Sequence, residues 1–111
     1  MTFDALGYLR KDVSRQRQQW DEAQIRALAR RLGYNLRKTI TFGEHTADPI
    51  HQLAATVAAL AADAVIVPST DHFDGNRIPA DLVRVTDVIT IAPERTYARW
   101  PTGELPHLDG S

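Results

Sequence analysis

Asp48-Pro49-Ile50-His51-Gln52-Leu53-Ala54-Ala55-Thr56-Val57-Ala58-Ala59-Leu60-Ala61, followed two residues later by Ala64-Val65-Ile66-Val67-Pro68, is the stretch that decides the architecture. Asp48 is an acid at a helix start, and Pro49 falls where a missing N–H does no harm. Ile50, Leu53, Ala54, Val57, Leu60 and Ala61 recur at i, i+3, i+4 and i+7, which predicts a helix with one apolar stripe. Ala64 to Val67 are apolar without a break, the pattern of a strand buried on both faces, and Pro68 stops it.

The neighbouring segments repeat that alternation. Phe3 to Leu9 reads as a first strand entering a turn at Arg10-Lys11-Asp12. From about Ser14 to Leu32, Ile25, Leu28 and Leu32 keep helical spacing, with Asp12 or Ser14 able to cap the start and Gly33 ending the run. Leu36 to Phe42 is a second strand, and Gly43 to Ala47 a loop. After Val67, Ser69 to Asn76 is a polar loop, Ile78 to Val85 a short helix, and Val88 to Ala92 a fourth strand ended by Pro93. Strands separated by helices pair in parallel through right-handed crossovers. The expectation is therefore an α/β domain over residues 1–95, with an open, mostly parallel four-stranded sheet flanked by helices. A tail containing Pro and Gly follows over 96–111, extended or mobile. Ligands of such sheets bind outside the carboxyl ends of the strands, here Arg10 to Ser14, Gly43 to Asp48 and Ser69 to Asn76.

Composition narrows the function classes. At 111 residues the chain has the size of one domain and can bury a core without staples, so two domains are excluded. With no cysteine it has no disulfide framework, thiolate metal site or cysteine nucleophile. No apolar run is long enough for a membrane span, and Met1-Thr2-Phe3-Asp4 lacks the layout of a signal peptide, so the expected compartment is the cytoplasm. The net charge of −1 conceals an asymmetry: residues 10–38 carry +6 and the remainder −7. A polyanion responds to the local field rather than the sum, although a solvated helix face gives the same pattern.

Arg10, Lys11 and Ser14 beside a helix start form a plausible anion site, with Arg15, Arg17 and Arg26 extending the positive surface. A capped helix carrying surface charges accounts for the same residues. The loop has no glycine-rich phosphate fingerprint. Ser69-Thr70-Asp71-His72-Phe73-Asp74-Gly75-Asn76 is rich in oxygen ligands but lacks a calcium-loop ladder, and turn chemistry explains it better. His45, His51 and His107 have no metal-ligand spacing, so neither a metal nor a cofactor is expected. Trp20 and Trp100 could each be core residues or exposed stacking or dimer anchors, and core or packing is the expectation for both.

Leu6-Gly7-Tyr8-Leu9-Arg10, Val13-Ser14, Gln24-Ile25-Arg26-Ala27-Leu28 and Gly33 together resemble the N-terminal catalytic domain of the serine recombinases, the resolvase/invertase family. Val65-Ile66-Val67 followed by Asp71 adds weaker support. The resemblance implies a resolvase-like fold. It also implies chemistry in which a serine attacks a DNA phosphodiester while arginines neutralise the phosphate. Arg10 matches the first-strand arginine. Ser14 matches the nucleophile if Lys11-Asp12 is an insertion, and otherwise Asp12 takes that place. Asp71 matches the family's aspartate, so Ser14, Arg10 and Asp71 would carry any residual activity. The family's Asp-Arg-Leu-x-Arg segment reads Asp71-His72-Phe73-Asp74-Gly75 here, without either arginine, and Thr46-Ala47-Asp48-Pro49 lacks the loop arginine. Each lost donor removes on the order of 2–4 kcal/mol of transition-state stabilisation.

The implied function is a degenerate, non-catalytic resolvase-like domain: a DNA-associated or regulatory binding and dimerisation module. Its DNA binding would be weak and non-specific, through Arg10, Lys11, Arg15, Arg17 and Arg26, and its other partners a second copy or another protein. The alternatives are a small-molecule or phosphate-binding α/β domain and a residual serine-dependent phosphodiester enzyme.

Overall fold

A computed structural model describes residues 2–100. The elements in chain order are β1 (Phe3–Arg10), α1 (Lys11–Ser14), α2 (Gln18–Leu32), β2 (Tyr34–Phe42), α3 (Pro49–Leu60), β3 (Ala64–Val67), α4 (Ala80–Val83), β4 (Asp87–Thr90) and β5 (Arg95–Tyr97). Short 3-10 turns at Arg15–Arg17, Thr70–His72 and Asp74–Asn76 fill the bends. The sheet has five strands in the order β2-β1-β3-β4-β5. Every pairing is parallel except β4–β5. The expected four-stranded sheet is thus short by one: β5 is three residues long, largely exposed and polar, too brief to show alternation. Most of the expected tail, residues 101–111, lies outside the described residues.

Alternation along the buried strands sorts the core into two layers. Ala5 and Leu9 of β1 and Ala64 and Ile66 of β3 face α2 and meet Ile25, Leu28 and Ala29. Leu6 and Tyr8, with Val65 and Val67, face the other way onto Leu53 and Val57 of α3 and Leu82 and Val83 of α4. All four residues of β3 are fully buried, as the uninterrupted apolar run demands.

Two glycines set the approach of α2 to the sheet. A Cβ on Gly7 would lie 2.6 Å from Thr39 Oγ1 and 2.9 Å from Ile25 Cγ2, so only hydrogen fits between β1, β2 and α2. Gly33 ends α2 in the left-handed region, φ 84°, and its N–H donates to Arg30 O at 3.2 Å. Strand β2 begins at the next residue, so helix and strand are joined by a single glycine.

The expected continuous helix from Ser14 is instead broken. One turn, α1, starts directly after β1, and Arg15 at φ 52° redirects the chain into a 3-10 turn before α2. Neither Asp12 nor Ser14 caps α2; its N-cap is Arg17, with no side-chain cap, because both candidates bond elsewhere. Asp48 and Pro49 do open α3, although Asp48 adopts a left-handed conformation and its carboxyl makes no capping bond. No described helix is long and apolar enough to cross a membrane.

Candidate functional site

The carboxyl ends of β1 and β3 open onto a cleft of about 280 Å³, walled on one side by α1 and α2 and on the other by residues 68–72 and 91–92. The bend at Arg15 builds the first wall. It brings Ser14, the last residue of α1, against Asp21 in the first turn of α2. The Ser14 hydroxyl donates to Asp21 Oδ2 at 2.6 Å, and both residues are buried. That distance is at the short end for an O–H···O bond.

The opposite wall is fastened to β1 through one residue. Tyr8 Oη donates to the carbonyl of His72 at 3.1 Å, and the backbone N–H of Arg10 donates to His72 Nδ1 at 2.9 Å. The Tyr8 ring stacks on Phe73 with centroids 5.4 Å apart. Burial pushes the Tyr8 phenol up to about 12. Burial likewise holds the His72 imidazole below its ordinary range, so the ring is neutral at pH 7. With Nδ1 accepting, its proton sits on Nε2. No described protein group accepts from Nε2, and His72 lines the cleft.

Arg10 is fully engaged. Its Nε and Nη2 donate to Asp12 Oδ1 and Oδ2 at 3.1 and 2.7 Å, a bidentate pair, and Nη1 donates to Asp74 Oδ1 at 2.8 Å. The hydrogen bond to Asp12 raises the guanidinium above its already high ordinary value, and the same bond holds the Asp12 carboxyl below the usual carboxylate range. Of the two candidates for the nucleophile position, then, Asp12 is spent on Arg10, while Ser14 lines the cleft.

The other expected residues divide. Lys11, Arg15 and Arg17 are exposed, Arg15 Nε donating only to the Asp12 carbonyl at 3.1 Å. Asp71 is exposed at the cleft, its N–H capped by Ser69 Oγ at 3.3 Å. Arg26 does not join them: at 100° per residue it lies about 160° around α2 from Gln24, which lines the cleft. Trp20, expected in the core, is 54% exposed beside the cleft, with the Arg17 guanidinium 4.8 Å from its ring centroid. Trp100 is exposed as well, because three-residue β5 leaves no layer to cover it. Sequence reasoning missed Asp21 and assigned His72 to a surface turn. The only signal was an acid seven residues after a serine, which no single helix would place opposite it. The 69–76 loop does use turn chemistry, Gly75 taking φ 71° and Asn76 φ 55°. No group of three or more potential ligands could hold a metal ion among the described residues.

Comparison with protein-family models, with curated proteins and with solved structures gives no match.

Chemically, the cleft offers a hydroxyl paired with a carboxyl, a neutral imidazole donor, and an indole with the Arg17 guanidinium over it. A phosphoryl-transfer site needs cations on the reacting phosphate. Here the inner arginine already holds two carboxylates.

Proposed function

We propose that this chain is a resolvase-like binding domain that associates with nucleic acid through the phosphate backbone and does not cleave it. The observation that carries the reading is the partition of the basic segment. Arg10, at the end of β1, is neutralised by Asp12 and Asp74, whereas exposed Lys11 and Arg15, and Arg17 on the cleft lining, form no ion pair among the described residues. Such cations supply sequence-independent affinity by releasing counterions. Ser14 is buried and bonded to Asp21, Arg10 is held by two carboxylates, and Arg17 is the one guanidinium on the cleft lining, short of the cluster of cations that strand transfer requires.

Fluorescence anisotropy on labelled DNA at several salt concentrations tests this. Binding in the micromolar range with a steep negative log–log salt slope is expected. R15E/R17E should raise Kd at least tenfold and flatten the slope by about two. R26E, on the far side of α2, should change it less. Unchanged affinity in the double variant would discard the reading.

The cleft supports a second reading, a small-molecule or phosphate-binding α/β domain, because about 280 Å³ of space lies at the carboxyl edge of the parallel strands. Nucleotides and inorganic anions that bind the folded form would raise Tm. A flat response across such a panel would remove it.

A further inference from the structure

Three features of the cleft go unused if the protein only touches phosphates. Trp20 leaves more than half its surface in water at the cleft wall, with Arg17 covering one face of the indole at 4.8 Å. His72 is 2% exposed and lines the cleft; its Nε2–H is bonded to no described group and is not among the buried atoms without a partner, so it faces the water of the cleft. Asp21 and Asp71 put two carboxyls on the lining, with Val13 and Ile91 as apolar wall.

Each feature restricts what fits. Carboxyls disfavour a phosphate inside the cleft but accept from N–H donors. His72 Nε2–H, facing the cleft, offers a donor to an acceptor on a ligand. A half-exposed indole backed by a guanidinium is a stacking platform for a planar group. The volume sits at the lower limit of small-ligand pockets, roughly 300 Å³, and suits one heterocycle rather than a base pair. A nucleobase is a flat ring carrying both donors and acceptors at its edge, and its phosphate would find Arg17 on the lining and Arg15 next in the chain to the lining residue Ser14.

Resting on the nucleic-acid reading above, we propose that the cleft receives one unpaired base, stacked on Trp20 and hydrogen-bonded by His72, with the adjoining phosphates on Arg15 and Arg17. The partner is therefore single-stranded nucleic acid in preference to duplex. In a duplex the base edges are paired and the faces stacked, so only the cation contacts remain available.

The test uses the full chain with a labelled single strand of mixed sequence, the matched duplex and a free mononucleotide. W100F leaves Trp20 as the only indole, so quenching reports on the cleft. The single strand should bind at least tenfold tighter than the duplex and quench Trp20. W20A should weaken single-strand binding about tenfold, leave duplex binding within about twofold, and be largely rescued in W20F. H72N should weaken the single strand in the same selective way. Equal affinity for both strand forms, or a silent W20A, would overturn the inference while leaving backbone binding intact. No binding to either form would overturn both. A mononucleotide that binds as tightly as the strand would assign the base to a free nucleotide and overturn the single-stranded partner.

Discussion

Ser14 and Asp21 are seven residues apart in the chain and 2.6 Å apart in space, hydroxyl to carboxyl, and both are buried. A continuous helix would not bring them together. The left-handed Arg15 between α1 and the 3-10 turn does. The pair ties the wall of the cleft to the first turn of α2. Removing the donor alone leaves a buried carboxyl oxygen without its partner, which costs about 1–3 kcal/mol. S14A should therefore lower the urea midpoint with little change in slope. D21A should do the same, and the double variant should lose less than the two singles combined. Strict additivity in that cycle would mean that the bond contributes nothing.

Of the described glycines, Gly7 has the least room for a side chain. A methyl group there would press on Thr39 Oγ1 and Ile25 Cγ2, both inside contact distance, with β2 on one side and α2 on the other. G7A should cost about 1–3 kcal/mol by overpacking. Because the nearest atom is a side-chain oxygen, T39A in the same background should restore part of the loss. Thermal melts of the three proteins check the order.

His72 gives the fold a pH dependence of definite sign. Burial holds its folded value below the ordinary 6.5. As pH falls through 6.5, the unfolded chain takes up a proton that the folded chain refuses, so stability is full above that pH and declines below it. The decline ends where the folded imidazole itself protonates. H72N keeps an acceptor for the Arg10 N–H but cannot titrate, and should flatten the urea stability profile between pH 7.5 and 5. An unaltered profile would locate the dependence elsewhere.

Arg10 and Asp12 act at lower pH. The bidentate hydrogen bond from Arg10 holds the Asp12 carboxyl below its ordinary 3.8. That contribution is present above 3.8 and is lost as pH falls through the folded value. In R10Q the difference in stability between pH 6 and pH 3 should be smaller than in the parent. The same variant frees Asp74, which is 92% exposed and loses its partner without strain.

Much of this fold was legible because it rests on periodicity. The stripe from Ile50 to Leu60, the doubly buried Ala64 to Val67, and Gly33 after the last turn of α2 each state a local rule that packing then obeys, whereas Ala61, expected in the stripe, is the exposed C-cap of α3. β5 escaped because three largely exposed polar residues carry no period, and their place is set by hydrogen bonding to β4. The site was less legible still. Ser14, Arg10 and Asp71 stand out by residue type and resemblance, but which of them line the cleft and what each bonds depend on a backbone angle at Arg15 and on which carboxylate Arg10 reaches. Neither follows from residue type. Trp20 shows the limit most plainly: an aromatic in a helical run reads as core, yet its position on α2 turns it to the cleft.

β1 stands between β2 and β3, so the order of synthesis and the order of pairing disagree. The ribosome makes β1 first, and the single-glycine return at Gly33 lets β1, α2 and β2 close as a unit soon afterwards. The second edge of β1 stays open until Ala64 to Ile66 emerge to pair with Ala5 to Gly7. Early in that interval, until α3 is made, Leu6 and Tyr8 also lack Leu53 and Val57, and until the end of it they lack the α4 residues Leu82 and Val83. The nascent chain released before β3 is the form exposed to strand-to-strand association. A ribosome stalled ahead of Ala64 would leave that edge of β1 open, whereas in the finished domain the open edges are those of β2 and β5.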